Sequence, residues 1–431
     1  MQPSQHAICT CFTAVLAALL VNVGAASAAT ADLASGQHWV ASWGASQQLV
    51  EPANALPSEH WRDTSLRQVV HLSLGGSRLR VRISNAYGDA PLTVDGAAIA
   101  LAQPQAGTAG IDAASQRSLT FGGRATVTIP AGAEYYSDSV DFAASPGADL
   151  AVSLYLNGEP ARQTGHPGSR ALSYAAKGNR VNDAAWPQAA AVAHWYLLAD
   201  VEVQAPATVG ALVATGDSIT DGYGVTPDSN GRWTDLLAAR LRKEGMAHGV
   251  VNAGIGGGRM LRDGLGTNLA ARFDRDVLSR AGVTHALVLI GVNDLGGLHR
   301  NTPDLPPERK QLLAELVMAY RQLAERAHAH GVCLIGATLT PYADSGYYHP
   351  GPENEADRQA LNDWIRHSGV FDAVADTDAA LRDPAHPQRM LKTYDSGDGL
   401  HPSAAGYAAI AAAVPTAALR NTCRTTDTNN R

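Results

Sequence analysis

The spacing of apolar residues changes character midway along the chain. From about residue 39 to residue 203 they fall in short runs of strand period. Arg78-Leu79-Arg80-Val81-Arg82-Ile83 alternates strictly, as a strand with one buried face does. A longer run at 66–74 stops at Gly75-Gly76, and others lie at 92–94, 125–129, 150–156 and 195–203. Gly, Pro, Asn and Asp clusters separate them. Several short strands so punctuated predict an all-β sandwich or jelly roll.

From Val209 onward, runs of strand type at 209–214, 250–251, 285–290, 332–339 and 370–374 alternate with helical patterns. Trp233, Leu236, Leu237 and Leu241 share one helix face, and Leu269, Phe273 and Val277 another. Leu312, Leu316, Leu323 and Ala327 mark a long helix; Leu361, Trp364 and Ile365 the next; Tyr407, Ile410 and Val414 the last. Such β–α units predict an α/β fold, a parallel five-stranded sheet flanked by helices on both faces. The expected linker is 202–208, where Pro206 interrupts an Ala/Val stretch, which divides the chain into a β-sandwich-like domain at 29–205 and an α/β domain at 206–431.

The amino terminus has a different signature. Residues 12–23 are an apolar run too short to span a bilayer, and Ala26-Ser27-Ala28 follows as a small-residue cleavage site. The expectation is a signal peptide over residues 1–28, cleaved near Ala28, and a secreted or periplasmic product. The segment before the run lacks the usual Lys or Arg. No later stretch is long and apolar enough to predict a membrane span. The net charge of −7, with no dense Lys/Arg block, excludes nucleic acid and anionic membrane surfaces as expected partners. Cys9 and Cys11 fall within the signal segment, leaving Cys333 and Cys423. The layout puts both near the lower rim of the sheet, where an oxidising compartment permits a disulfide; a buried free thiol is the alternative.

Ligands of parallel α/β sheets sit beyond the carboxyl ends of the strands. Four segments of this chain carry chemistry at such places. They are Gly216-Asp217-Ser218-Ile219-Thr220-Asp221-Gly222, Asn252-Ala253-Gly254-Ile255-Gly256-Gly257-Gly258, Gly291-Val292-Asn293-Asp294 and Asp398-Gly399-Leu400-His401. Each alone has a plain structural explanation. A Gly-Asp-Ser sequence is ordinarily a turn, Asn-Asp closes loops or caps helices, and His401 before Pro402 suits the start of a helix. The glycine run resembles a dinucleotide fingerprint, but Arg259 stands where a third glycine is needed, so no cofactor is expected. Four such segments in order at one sheet rim are hard to obtain by chance.

Together they resemble the GDSL/SGNH hydrolase family, over roughly residues 209–414. Ser218, Gly257, Asn293 and His401 fall on the four positions that name the family, with Gly256 as an alternative to Gly257, and Asp398 falls on the triad acid. The resemblance implies a flavodoxin-like sheet and a serine carboxylic ester hydrolase. The β-rich half, including Trp39-Val40-Ala41-Ser42-Trp43 and Phe121-Gly122-Gly123-Arg124-Ala125, is similar to the N-terminal region of a two-domain bacterial subgroup. One departure is Gly399, where that subgroup often has His. The Gly-x-Ser-x-Gly elbow of α/β-hydrolases is absent around Ser218.

These residue types suit acyl transfer. A serine hydroxyl needs a neighbouring base, His401, which Asp398 would orient from three residues earlier. The backbone N–H groups of Ser218 and Gly257 and the side-chain amide of Asn293 would receive the oxyanion. No metal is expected: His328 and His330 are two apart near a helix end, and contact with the helix dipole explains them better. Export, an accompanying β-sandwich and the lack of a long apolar lid favour an acetyl or short acyl ester on a polysaccharide or oligosaccharide. The alternatives are a lipase or arylesterase acting on longer or aromatic acyl esters, and a non-catalytic carbohydrate-binding protein. Trp39, Trp43 and the Arg78/Arg80/Arg82 face are expected to serve packing or contacts rather than sugar binding. Tyr342, Tyr347, Tyr348 and His349 either line the acyl or sugar pocket or form an ordinary loop. The oligomeric state is not legible.

Overall fold

The computed structural model describes residues 36–103, 109–299, 306–421 and 423. The expected signal segment, with Cys9 and Cys11, lies outside the described residues. Among the described residues no helix is long and apolar enough to cross a membrane.

The amino-terminal half is antiparallel. One sheet orders Gln37–Gly44, Leu198–Pro206, Gly76–Ser84 and Val140–Ala144. A six-stranded sheet has Thr64–His71 and Asp149–Leu156 at its centre. Val81, Ile83 and Val203 from the first meet Val70, Val152 and Leu154 from the second in one buried cluster. The strict alternation at 78–83 thus marks inward Leu79, Val81 and Ile83, with the arginines facing away. Arg80 pairs with Glu202 at 2.6 Å, and Arg82 pairs with Asp200 and with Glu134. Trp43 packs edge-on against Trp195, and Trp39 lies under the Arg80 guanidinium.

Two sequence expectations need correction here. The run at 195–203 is not one strand: Leu197, fully buried, takes a left-handed φ of 61° and sends Trp195–Tyr196 and Leu198–Pro206 into different sheets. The expected linker at 202–208 is also shorter at its start, since residues 202–206 belong to a strand. Glu202 lies mid-strand, paired in register with Arg80 and Ala41, and the strand ends only at Pro206. A buried carboxylate held by an arginine reads from sequence like an exposed charge.

The second half is a parallel sheet whose strands we number β1 (Ala211–Gly216), β2 (Gly249–Gly254), β3 (Val283–Leu289), β4 (Cys333–Ala337) and β5 (Ala373–Ala375), in the order β2-β1-β3-β4-β5. The principal helices are α1 (Ser218–Asp221), α2 (Trp233–Lys243), α3 (Leu269–Phe273), α4 (Val292–His299), α5 (Pro306–Ala329), α6 (Pro352–His367) and α7 (Ala404–Ala413). Trp233, Leu237 and Leu241 pack with Tyr407 and Ile410 on one face. Leu269, Phe273, Leu316, Leu323, Leu361 and Ile365 cover the other. The expected last strand shrinks to Ala373–Ala375, because Val370 and Phe371 pack as side chains against the helix layer instead. Cys333, first in β4, is disulfide-bonded to Cys423. His328 meets Asp372 at 2.8 Å, and His330 hydrogen-bonds the Arg326 carbonyl at the end of α5.

The halves meet along β2. Ser73 Oγ accepts from the Val250 N–H at 2.8 Å, and the Ala41 N–H donates to the Ala281 carbonyl. Arg272 is buried in this seam. Its Nη1 donates to Ser46 Oγ, the Ala253 carbonyl and Asp276, and its Nη2 to the Gly216 carbonyl, all within 3.0 Å. Removing one partner of a buried ion pair strands the other. Arg272→Ala is therefore expected to destabilise the protein by about 3–5 kcal/mol, read as a lower urea midpoint, and a midpoint equal to wild type would contradict the role assigned to this side chain.

Candidate active site

The three sequence-predicted triad residues converge at the carboxyl rim of the sheet. Ser218 opens α1, directly after β1. Asp217 caps that turn by accepting from the Ile219 N–H at 2.9 Å, and Gly222, at a left-handed φ of 89°, ends it. Ser218 Oγ lies 2.8 Å from His401 Nε2. His401 Nδ1 lies 2.6 Å from Asp398 Oδ2, while Asp398 Oδ1 accepts from the His401 and Leu400 N–H groups. A carboxylate can only accept, so Nδ1 carries the proton and Nε2 presents its lone pair to the serine.

Burial is the largest influence on His401 and lowers its pKa. Attraction to Asp398 opposes this without reversing it, and the Arg170 charge adds to the lowering. Burial alone would raise Asp398, but hydrogen bonds from His401 and Leu400 outweigh it and hold the carboxyl below its ordinary range. The imidazole therefore stays neutral, and able to accept a proton, to a lower pH than an ordinary imidazole.

Gly256, Gly257, Asn293, Ser218 and His401 all line one open cleft of about 760 Å3. Among the described residues, the backbone N–H groups of Ser218 and Gly257 make no backbone hydrogen bond. Gly257 sits at a φ of 67°, a backbone that a side chain would strain. Asn293, in the first turn of α4, donates from Nδ2 to the Gly258 carbonyl at 2.7 Å. Its Oδ1 accepts from the Tyr348 hydroxyl at 2.5 Å, which fixes which end of the amide faces the glycine loop. The amide nitrogen has a second hydrogen to offer. The arrangement can thus place three donors around a carbonyl oxygen held at Ser218.

Asp294 anchors the same loop, accepting from the Met260 and Leu261 N–H groups at 2.8 and 3.1 Å. Burial pushes its pKa up to about 6 against those hydrogen bonds, and pushes Asp217 up to about 7. Gly399 has a local explanation. At its φ of 71°, a Cβ would run into the Asp344 carbonyl, so a histidine does not fit this loop.

Several residues with a part in the site carried no sequence signal. Arg272 reads as one polar residue within an apolar helix pattern. His166, from the β-rich half, bridges the Ser46 carbonyl and Asp221 of the first motif at 2.8 and 2.9 Å. Gln48, Glu51, Asn54, Arg170 and His194, also from that half, form one wall of the cleft. Tyr347 and Tyr348 line it as well, whereas Tyr342 is buried behind them. Trp39, Trp43, Arg78, Arg80, Arg82 and His349 are not among the cleft-lining residues.

A serine–imidazole–carboxylate relay beside convergent donors, at the rim of a β2-β1-β3-β4-β5 sheet, defines a class of acyl-group hydrolases. Residues 214–409 match the profile of the GDSL-like lipase/acylhydrolase family, so this chain carries a domain of that family and is a carboxylic ester hydrolase. No curated protein matches the chain. Among solved structures it is similar to a GDSL-like lipase from Bacteroides thetaiotaomicron, with 19% identity, 49% of this chain and 88% of that one covered, and a TM-score of 0.36. It is also similar to Axe2, an acetylxylan esterase from Geobacillus stearothermophilus, with 22% identity, 47% and 91% covered, and a TM-score of 0.35.

The site generates two expectations. Because His401 must be neutral to accept a proton, kcat/KM is lost as pH falls through a midpoint below the ordinary imidazole value; a pH profile with its acid limb above that value would contradict the geometry. Asn293→Ala is expected to raise the barrier by about 3–4 kcal/mol. Tyr348→Phe, which removes the hydroxyl that holds the Asn293 amide, is expected to cost about 1 kcal/mol in kcat. Equal losses in the two variants would show that Tyr348 does more than hold the amide.

Proposed function

We propose that this is an exported esterase, a β-rich domain joined to a catalytic domain near residue 206, that removes acetyl or other short acyl groups from a carbohydrate through an acyl-enzyme. The observation that carries the chemistry is the continuous relay from Ser218 Oγ to His401 to Asp398, with contacts of 2.8 and 2.6 Å. Ser218 Oγ attacks the ester carbonyl carbon while His401 Nε2 takes its proton. The oxyanion is received by the N–H groups of Ser218 and Gly257 and by the Asn293 amide. Collapse expels the alcohol, protonated by His401, and leaves an acyl-serine. Water, deprotonated by the same imidazole, attacks that ester, and the acid departs as Ser218 regains its proton.

Support for a carbohydrate alcohol comes from the cleft. Its wall from the β-rich half is polar, with Gln48, Glu51, Asn54 and His194. Tyr223 and Tyr347 stand 48% and 51% exposed at its rim, aromatic faces of the kind that stack on sugar rings. Leu265, 58% exposed in the same cleft, favours a second reading, a lipase-like enzyme that accepts longer acyl chains.

Ser218→Ala and His401→Ala are expected to abolish turnover nearly completely. p-Nitrophenyl esters from acetate to palmitate, assayed beside acetate release from acetylated xylan, separate the readings. Highest kcat/KM on acetate with release from xylan supports the first; preference for long chains with no release supports the second. Full activity in Ser218→Ala would remove the mechanism.

A further inference from the structure

We propose that the β-rich half supplies the binding site for the alcohol part of the ester, and that Arg170 is its specificity-determining donor for sugar hydroxyls; the proposal rests on the carbohydrate reading above. The side of the cleft follows from the chemistry. His401 Nε2 must return its proton to the leaving oxygen, so the alcohol lies against the imidazole rather than against Asn293 and the glycine loop. The Tyr223 ring lies tilted against His401, with centroids 4.1 Å apart and planes at 31°, and the Arg170 guanidinium sits 5.4 Å from the centre of that same ring. Arg170 therefore borders the position the alcohol must occupy.

Its guanidinium is held there but not satisfied. Its one ion pair among the described residues is long, 3.9 Å to Asp221 Oδ2, while the other oxygen of that carboxylate, Oδ1, meets His166 at 2.9 Å. Among the described residues no acceptor lies within hydrogen-bond distance of the guanidinium, and Nε is buried without a partner. Beside it His194 Nδ1 is spent on the Pro167 carbonyl at 2.7 Å, leaving Nε2 as an acceptor in the same wall. A donor fork and a lone-pair nitrogen beside an exposed tyrosine face match the hydroxyls and C–H face of a sugar.

The loop that presents Arg170 is fastened at several points. Arg170 takes a left-handed φ of 48°, a backbone that costs an ordinary residue energy unless surroundings impose it. Here the Arg170 carbonyl accepts from the Asp228 N–H at 3.0 Å, and the Asp228 carboxylate accepts from the Leu172 N–H at 2.8 Å. Arg232 donates to the Ser169 carbonyl. Gly168 lies where any Cβ would strike the Asp221 carboxylate. Residues of the parallel-sheet half thus clamp a loop of the β-rich half against the catalytic rim, and the strain falls on the residue that faces the alcohol.

The test compares two substrates in one preparation. Asn tolerates a left-handed backbone, so Arg170→Asn removes the guanidinium without adding strain. The ratio of kcat/KM on an acetylated xylo-oligosaccharide to that on p-nitrophenyl acetate does not depend on how much enzyme is folded. Loss of a charged donor to the sugar is expected to lower this ratio about tenfold or more in Arg170→Asn, with partial recovery in Arg170→Lys. A ratio within about twofold of wild type, where wild type cleaves both substrates, overturns the role of Arg170 and leaves the carbohydrate reading standing. Wild type that cleaves p-nitrophenyl acetate but not the acetylated sugar overturns both.

Discussion

One buried guanidinium sets the positions on which the rest of the site depends. Arg272 joins the ends of two neighbouring strands, through the carbonyls of Gly216 and Ala253, to Ser46 of the β-rich half and to Asp276 on its own helical segment. Gly216 lies two residues before the nucleophile, and Ala253 four residues before Gly257. Burial lowers the pKa of Arg272, and the adjoining Asp276 works against that lowering. The cost of burying this charge is offset only while all its acceptors stay in place. The guanidinium thus serves as a brace: it ties the ends of two strands already paired in the sheet, one leading to the nucleophile and one to the glycine loop, to the β-rich half.

The carboxylates around the site divide their work by environment. Asp398, part exposed, takes hydrogen bonds from its own turn and stays charged beside the imidazole. Asp217 and Asp294, both enclosed, use their oxygens to hold backbone N–H groups, and burial presses their pKa values towards neutrality. Three aspartates in neighbouring motifs therefore do two kinds of task. One polarises the base; the other two keep the loops from wandering.

Much of the catalytic half was legible because its signals are local. Strand and helix periods alternate cleanly from Val209, and the reactive residues sit within a few positions of strand ends. Their convergence follows from the direction of a parallel sheet. What remained hidden depends on partners distant in sequence. Arg272 and His166 look like ordinary residues until Ser46 and Asp221 stand beside them, and Tyr348, a pocket candidate in the sequence, showed no sign of its bond to Asn293. The break at Leu197 was invisible because a buried leucine at positive φ carries no compositional mark. Glu202 misled for a related reason: its partner Arg80 lies more than a hundred positions away.

The seam also bears on self-association. β2 is an outer strand of the parallel sheet, and an uncovered strand edge invites pairing with other molecules. Here Ser73 accepts from Val250, Ser46 donates to the Ala253 carbonyl, and Ala41 lies against Gly249. The β-rich half thus covers, within the same chain, the strand edge through which the catalytic sheets of neighbouring molecules could otherwise pair, and the two halves share one fate in unfolding because each completes the other's buried hydrogen bonds.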